Sequence, residues 1–161
     1  MDSIYVETSI ISHAAARPSL DPIVALLQKQ ARDWWNTERS KFHVVTSQLV
    51  LDEAALGDQA AASERLKMLA DIDLIPADPR IEAVADELIA RHLMPETARL
   101  DALHVATAAV GGVQYLLTQN CRHIANGHTL PRVYRTLEEL GYPNLLIYTP
   151  AVFLGGDDNV A

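Results

Sequence analysis

The sequence predicts an α/β protein with a central, mostly parallel sheet of about five strands flanked by helices. Three observations carry that expectation. Short apolar runs suited to strands alternate with longer runs of helical spacing along the chain. The dipeptides Asp21-Pro22 and Asp78-Pro79 each pair a capping side chain with a proline in the first turn, which marks the start of two long helices. Finally, 161 residues, 49% of them hydrophobic, suffice for one core without disulfide staples.

Ser3-Ile4-Tyr5-Val6 forms the first strand, and a helix follows near Ser9 to Ala15. The helix opened by Asp21-Pro22 repeats Ile23, Leu26, Leu27, Ala31, Trp34 and Trp35 at helical spacing. His43-Val44-Val45-Thr46 is the second strand. Ser47 then caps a helix carrying Leu49, Val50, Glu53 and Ala54, and Asp58 caps another through Leu66 and Leu69. Leu74-Ile75 is a short third strand, and Asp78-Pro79 opens a helix with Ile81, Val84, Ala85, Leu88 and Ile89. Pro95 opens the next, through Leu100, Leu103, Val105, Ala106 and Val110, and Gly111-Gly112 ends it. Gln114 to Thr118 is the fourth strand. A helix from Pro131 to Leu140 stops at Gly141, and Leu145 to Tyr148 is the fifth strand. The expectation is one domain over residues 1–150 and a short, partly frayed tail over 151–161.

Thirteen Lys and Arg against 21 Asp and Glu leave a net charge of −8. A general nucleic-acid coat held by long-range attraction is excluded, although a metal ion can supply positive charge at one site. The single cysteine, Cys121, forms no internal disulfide and reads as a small core residue. Met1 to Glu7 has no basic region followed by an apolar stretch, so no signal peptide is expected. Residues 102–121 are uncharged over about 20 positions, the length of a membrane span. His104, Gln114 and Gly111-Gly112 interrupt that run, which reads as helix, turn and strand. No membrane association and a cytoplasmic location are expected.

A parallel α/β sheet binds ligands beyond the carboxyl ends of its strands. Glu7 directly follows the first strand, Glu53 lies on the helix after the second, and Asn120 comes two residues after Thr118. Asp101 sits early in the helix leading to the fourth strand, so it also lies over that edge. Three carboxylates and an amide sent to one edge call for a positive partner, and Mg²⁺ or Mn²⁺ suits hard oxygen ligands. Each residue also has a plainer role available. Glu7 can simply end a strand, and Asn120 can simply make a turn. Asp52 competes with Glu53, although Leu49, Val50 and Ala54 favour Glu53 facing inward. Asp101, set in Leu100-Asp101-Ala102-Leu103-His104-Val105-Ala106, is the strongest candidate, since almost no polar face absorbs it. Its plainer role is a buried carboxylate satisfied by Arg99, His104 or a backbone cap.

Tyr5-Val6-Glu7-Thr8-Ser9, Val50-Leu51-Asp52-Glu53, Asp101 to Ala106, and Leu116 to Ile124 occur in this order across most of the chain. Together they resemble the PIN-domain nucleases, particularly the VapC-type toxins of type II toxin–antitoxin pairs. The resemblance implies a three-layer, PIN-like sandwich and Mg²⁺- or Mn²⁺-dependent hydrolysis of RNA phosphodiester bonds. It assigns the acidic positions to Glu7, Glu53, Asp101 and Asn120, with Glu7, Glu53 and Asp101 as metal ligands. It also gives Thr8 and Ser9 a supporting hydroxyl role, and it implies a cognate antitoxin and a homodimer. The sequence departs from the family at two of these positions, with Glu where Asp is usual first and Asn where Asp is frequent fourth.

On that reading Asp101 or Glu53 accepts a proton from the attacking water, and the sequence does not choose between them. From Ala102 to Leu137 the chain has no Asp or Glu but carries Arg122, Arg132, Arg135, His104, His123 and His128. Arg122 and His123, with Thr8, are the candidate contacts for substrate phosphate. The pair Trp34-Trp35 is expected in the core or a subunit interface rather than stacking on bases. The main alternative is a non-catalytic PIN-like module that binds RNA or a protein. A phosphotransfer enzyme of the haloacid type needs Asp-x-Asp after strand one, where this chain has Glu7-Thr8-Ser9. A receiver-type switch needs an Asp ending strand three, where this chain has Pro76-Ala77.

Overall fold

The structure is a computed structural model that describes residues 1–155. In chain order it contains β1 (Ser3–Val6), α1 (Thr8–Ala15), α2 (Pro22–Thr37), β2 (His43–Thr46), α3 (Gln48–Ala54) and α4 (Gln59–Leu69). These are followed by β3 (Asp73–Leu74), α5 (Pro79–Ala90), α6 (Arg99–Val110), β4 (Tyr115–Leu117), α7 (Leu130–Glu139) and β5 (Leu146–Tyr148). The marked starts hold: Asp21, Ser47, Asp58 and Asp78 each cap the following helix through a side-chain oxygen. Such caps contribute about 1 kcal/mol each.

The sheet is parallel throughout, in the order β3-β2-β1-β4-β5. From β1 the chain builds outward through β2 to β3, then returns to add β4 and β5 on the other side. With right-handed crossovers, that reversal puts α1–α4 on one face of the sheet and α5–α7 on the other. The helix contacts agree: α1 packs on α2, α3 and α4, while α5 packs on α6 and α7. The fold is therefore the expected three-layer α/β sandwich. Central β1 is covered on both faces, and Ile4, Tyr5 and Val6 are fully buried.

α6 is enclosed almost all round, with Ala102 and His104 to Ala109 buried. Its small residues let it lie close to the sheet and to α5. The uncharged run 102–121 divides as expected into α6, a turn at Gly112 with φ +72°, and β4. Among the described residues no helix is long and apolar enough to cross a membrane.

Several expectations need correction. A 3₁₀ turn at Glu96–Ala98 intervenes after Pro95, and α6 begins at Arg99. β3 lies one residue earlier than predicted, and its Leu74 is exposed at the sheet edge. On α2 the inward face runs through Gln28, Ala31, Trp34 and Trp35, which leaves Ile23 and Leu26 exposed. Buried Gln28 is satisfied by the preceding loop: its Oε1 accepts from the Ser19 N–H and its Nε2 donates to the Arg17 carbonyl. The two tryptophans are core residues. Cys121 is exposed rather than buried, because it sits in the loop beyond β4. Packing also continues past residue 150, since the Phe153 ring stands 5.4 Å from Phe42 and 5.5 Å from Tyr115. The rest of the expected tail, residues 156–161, lies outside the described residues.

Candidate active site

The strand order reverses between β1 and β4, so the chain leaves these neighbours in opposite directions and opens a crevice at their carboxyl ends. Glu7 stands at the end of β1, and its N–H continues the ladder by donating to the Leu117 carbonyl at 3.1 Å. Its carboxylate is nearly buried, 5% exposed, and is surrounded by donors. The Ser9 N–H donates at 3.1 Å, the Ser9 hydroxyl at 2.6 Å and the Thr118 hydroxyl at 2.6 Å. Glu7 thus caps α1 and ties β1 to the end of β4, where the helix N-terminus favours its charge.

Glu53, and not Asp52, turns inward from α3. Asp52 is exposed and accepts from Gln48 at 2.9 Å. Both hydrogen bonds to Glu53 end on one oxygen, Oε1: the Thr8 hydroxyl donates at 2.6 Å and His104 Nε2 lies at 2.6 Å. Burial alone raises the Glu53 pKa, but the hydrogen bonds from His104 and Thr8 outweigh it and bring it below its ordinary value. Thr8 spends its only hydroxyl proton on Glu53, so in this arrangement its side chain supports an acid.

Asp101 is half-buried in the first turn of α6. Arg99, the cation nearest in sequence, is paired with Asp86 at 2.7 Å. What Asp101 meets is the Asn120 side chain, the negative charge of Glu7 and, more weakly, His123 and His104. Desolvation and the Glu7 charge hold its pKa above the usual aspartate value, although Asn120 and His123 pull the other way. Asn120 is both turn residue and site residue. Its Oδ1 accepts the His123 N–H at 3.0 Å, which directs the amide nitrogen to Asp101.

The crevice therefore brings Glu7, Asp101 and Asn120 together, with Glu53 beside them and gripped by Thr8 and His104. Among the described residues none of these three carboxylates pairs with Lys or Arg. Among the same residues, no three His, Cys, Asp or Glu side chains gather closely enough to hold a metal ion between them. The donors suit a hydrated hard cation better than a closed cage. Mg²⁺ keeps several waters and uses one or two carboxylates, and Glu7 with Asp101 offers two that repel each other and, among the described residues, pair with no Lys or Arg.

Arg122, Arg132 and Arg135 are exposed and make no ion pair among the described residues. His123 is half-buried near Asp101. His104 adds nothing to the surface charge, because it is fully buried.

Sequence reasoning missed two residues of this site. Thr118 is its hub: buried, it donates to Glu7 and accepts the Asn120 N–H at 3.0 Å. A hydroxyl ending a strand at the switch point was the available signal. His104 joins Glu53 to Tyr5 across the core, which its spacing from Asp101 does not reveal.

The fold and site define the chain as a parallel α/β sandwich with an acidic crevice at its switch point. In comparison with known proteins, the chain matches no family model and no curated protein.

Proposed function

We propose that this protein is a divalent-metal-dependent endoribonuclease of the PIN-like type, acting in the cytoplasm as the toxin of a toxin–antitoxin pair. One observation carries the reading: Glu7 and Asp101 converge at the β1/β4 switch point, and among the described residues no Lys or Arg pairs with either. Side chains so placed are suited to capture a cation.

Glu7 and Asp101 would hold Mg²⁺ or Mn²⁺, with Glu53 holding a water of its shell. When bound, the ion supplies Lewis-acid polarisation of the phosphate and activation of water. Asp101 is the proton acceptor of choice. Glu7 is ringed by three donors and Glu53 has two on one oxygen, whereas among the described residues Asp101 is met by the Asn120 amide alone. Arg122 and the His123 ring take the non-bridging phosphate oxygens, and Asn120 holds Asp101 in place. Leu20, Ile23 and Leu26, exposed around the start of α2, offer apolar surface to an antitoxin or a second copy of the chain.

Cleavage of RNA with Mn²⁺ by wild type and Asp101→Asn tests this reading. A loss of at least about 100-fold is expected from removing a proton acceptor, and equal rates would overturn the proposal. A second reading, a non-catalytic module that binds RNA or a protein, draws on Asn120. Its oxygen faces the His123 N–H, so it adds no negative donor to the crevice. RNA binding without cleavage under any divalent ion would favour that reading.

A further inference from the structure

His104 is the one fully buried side chain of the site whose two polar atoms are both engaged. Its Nε2 lies 2.6 Å from Glu53 Oε1, and its Nδ1 lies 2.8 Å from the Tyr5 hydroxyl. Tyr5 is itself fully buried and meets the Ser47 hydroxyl at 2.7 Å. Ser47 in turn caps α3 by accepting the Val50 N–H at 3.3 Å. A carboxylate only accepts, so the proton between ring and Glu53 belongs to Nε2. The chain of contacts starts on α3 at Ser47, crosses β1 and α6, and returns to α3 at Glu53. Its effect is to brace two helices that lie on opposite faces of the sheet.

Asp101 lies three residues before His104, on the same face of α6. The His104–Glu53 contact therefore fixes where the second acid stands relative to the third. With Thr8 and His104 both on Oε1, Oε2 accepts no hydrogen bond among the described residues, while the Glu53 side chain remains 24% exposed.

We propose that His104 is a positioning residue that grips Glu53 by Oε1, sets the Glu53–Asp101 spacing and leaves Oε2 as the single oxygen offered to a divalent cation or its water. The role rests on the nuclease reading above for its purpose, but not for its geometry. Hydrogen-bonded partners of metal-binding groups alter metal affinity by about 10–100-fold. Gln at position 104 retains a donor that reaches Glu53, whereas Leu retains only bulk.

Calorimetric titration with Mn²⁺, beside thermal melts, compares wild type, His104→Gln, His104→Leu, Tyr5→Phe and Asp101→Asn. Expected is Mn²⁺ binding within about threefold of wild type for His104→Gln and weaker by about tenfold or more for His104→Leu. A folded His104→Leu protein that binds like wild type overturns the inference. Should that variant not fold, ring ¹⁵N spectra of metal-free wild type, Tyr5→Phe and Glu53→Gln decide. The wild-type ring is expected to show one fixed form with the proton on Nε2, and Glu53→Gln is expected to move its Nε2 resonance. A tautomer mixture, or an Nε2 resonance unmoved by Glu53→Gln, overturns the positioning role. Absence of Mn²⁺ binding in wild type, or undiminished binding in Asp101→Asn, sinks the nuclease reading, and the ring spectra still judge His104.

Discussion

Asn120 and Asp101 form a donor–acceptor pair across the switch point, with the amide nitrogen directed at the carboxylate because the His123 N–H holds the amide oxygen. The polarity of that pair predicts the effect of the acidic residue frequent at this position in the resembled family. Asn120→Asp keeps an oxygen for the His123 N–H but replaces a donor with a third charge beside Asp101 and Glu7. The metal-free protein should lose about 1–3 kcal/mol, and Mn²⁺ should restore more stability to the variant than to wild type. Melting curves with and without Mn²⁺ measure both, and an Asn120→Asp protein as stable as wild type without metal refutes the pairing.

The two flanking carboxylates respond oppositely to pH. Glu53 is held below its ordinary value of 4.5, so it favours the folded state when ionised. That contribution is fully present above about pH 4.5 and disappears as pH falls through the lowered folded-state value. Asp101 is held above its ordinary 3.8, so its ionisation opposes folding, and the cost grows as pH rises through that raised value. Glu53→Gln should therefore destabilise at pH 7 by about 1 kcal/mol, after discounting for its partly exposed position. Asp101→Asn should be neutral or stabilising at pH 7 while abolishing cleavage. Both differences should shrink towards pH 3. Denaturant melts between pH 3 and 7 provide the comparison, and destabilisation by Asp101→Asn at pH 7 contradicts the environment described for it.

Legibility in the sequence followed locality. Strand and helix identities, and the caps at Asp21, Ser47, Asp58 and Asp78, were readable because each is settled within a few residues. Glu7, Glu53, Asp101 and Asn120 were placed at the carboxyl edge by topology alone, since parallel strands and antiparallel helices fix which ends face the crevice. What the sequence did not show was which partner each would find. Arg99 lies two residues from Asp101 yet reaches Asp86, while His104 reaches Glu53 from another element. Ile23 and Leu26 misled because apolar spacing on α2 spans more than one face, and burial follows the face bearing Trp34. Cys121 misled because a small apolar residue beside a core strand can still occupy a loop.

Thr118 shows how much of the site depends on one hydroxyl. Thr118→Val conserves shape but removes the donor to Glu7 and the acceptor for the Asn120 N–H. Losing one partner of a buried polar group costs about 1–3 kcal/mol, so a fall of that size in unfolding free energy is expected. Mn²⁺ binding should weaken as well, since both Glu7 and the Asn120–Asp101 pair lose their common anchor. Ser9→Ala likewise takes a hydroxyl from Glu7, and it orphans the Gln119 N–H rather than the Asn120 N–H, so it should disturb Asp101 less. Chemical denaturation shows that both variants fold, Mn²⁺ titration separates their roles, and equal losses of Mn²⁺ affinity would contradict a separate role of Thr118 through Asn120.

Arg122 tests the route by which substrate approaches. The protein carries net charge −8, so RNA gains no long-range attraction from the molecule as a whole. Arg122 is exposed, has no ion pair among the described residues and lies two residues beyond Asn120, which suits it to a phosphate next to the scissile bond. Neutralising one phosphate contact on a single strand should reduce the slope of log affinity against log salt by about 0.7. Arg122→Ala should therefore weaken RNA binding and flatten its salt dependence by that amount, with the melting temperature unchanged because no folded-state partner is lost. Raising KM while leaving kcat nearly intact would mark a binding contact. A comparable loss in kcat would instead place the guanidinium on charge that develops in the transition state. A variant with unaltered salt dependence would move the phosphate path away from the β4 loop, towards Arg132 and Arg135 on the first two turns of α7.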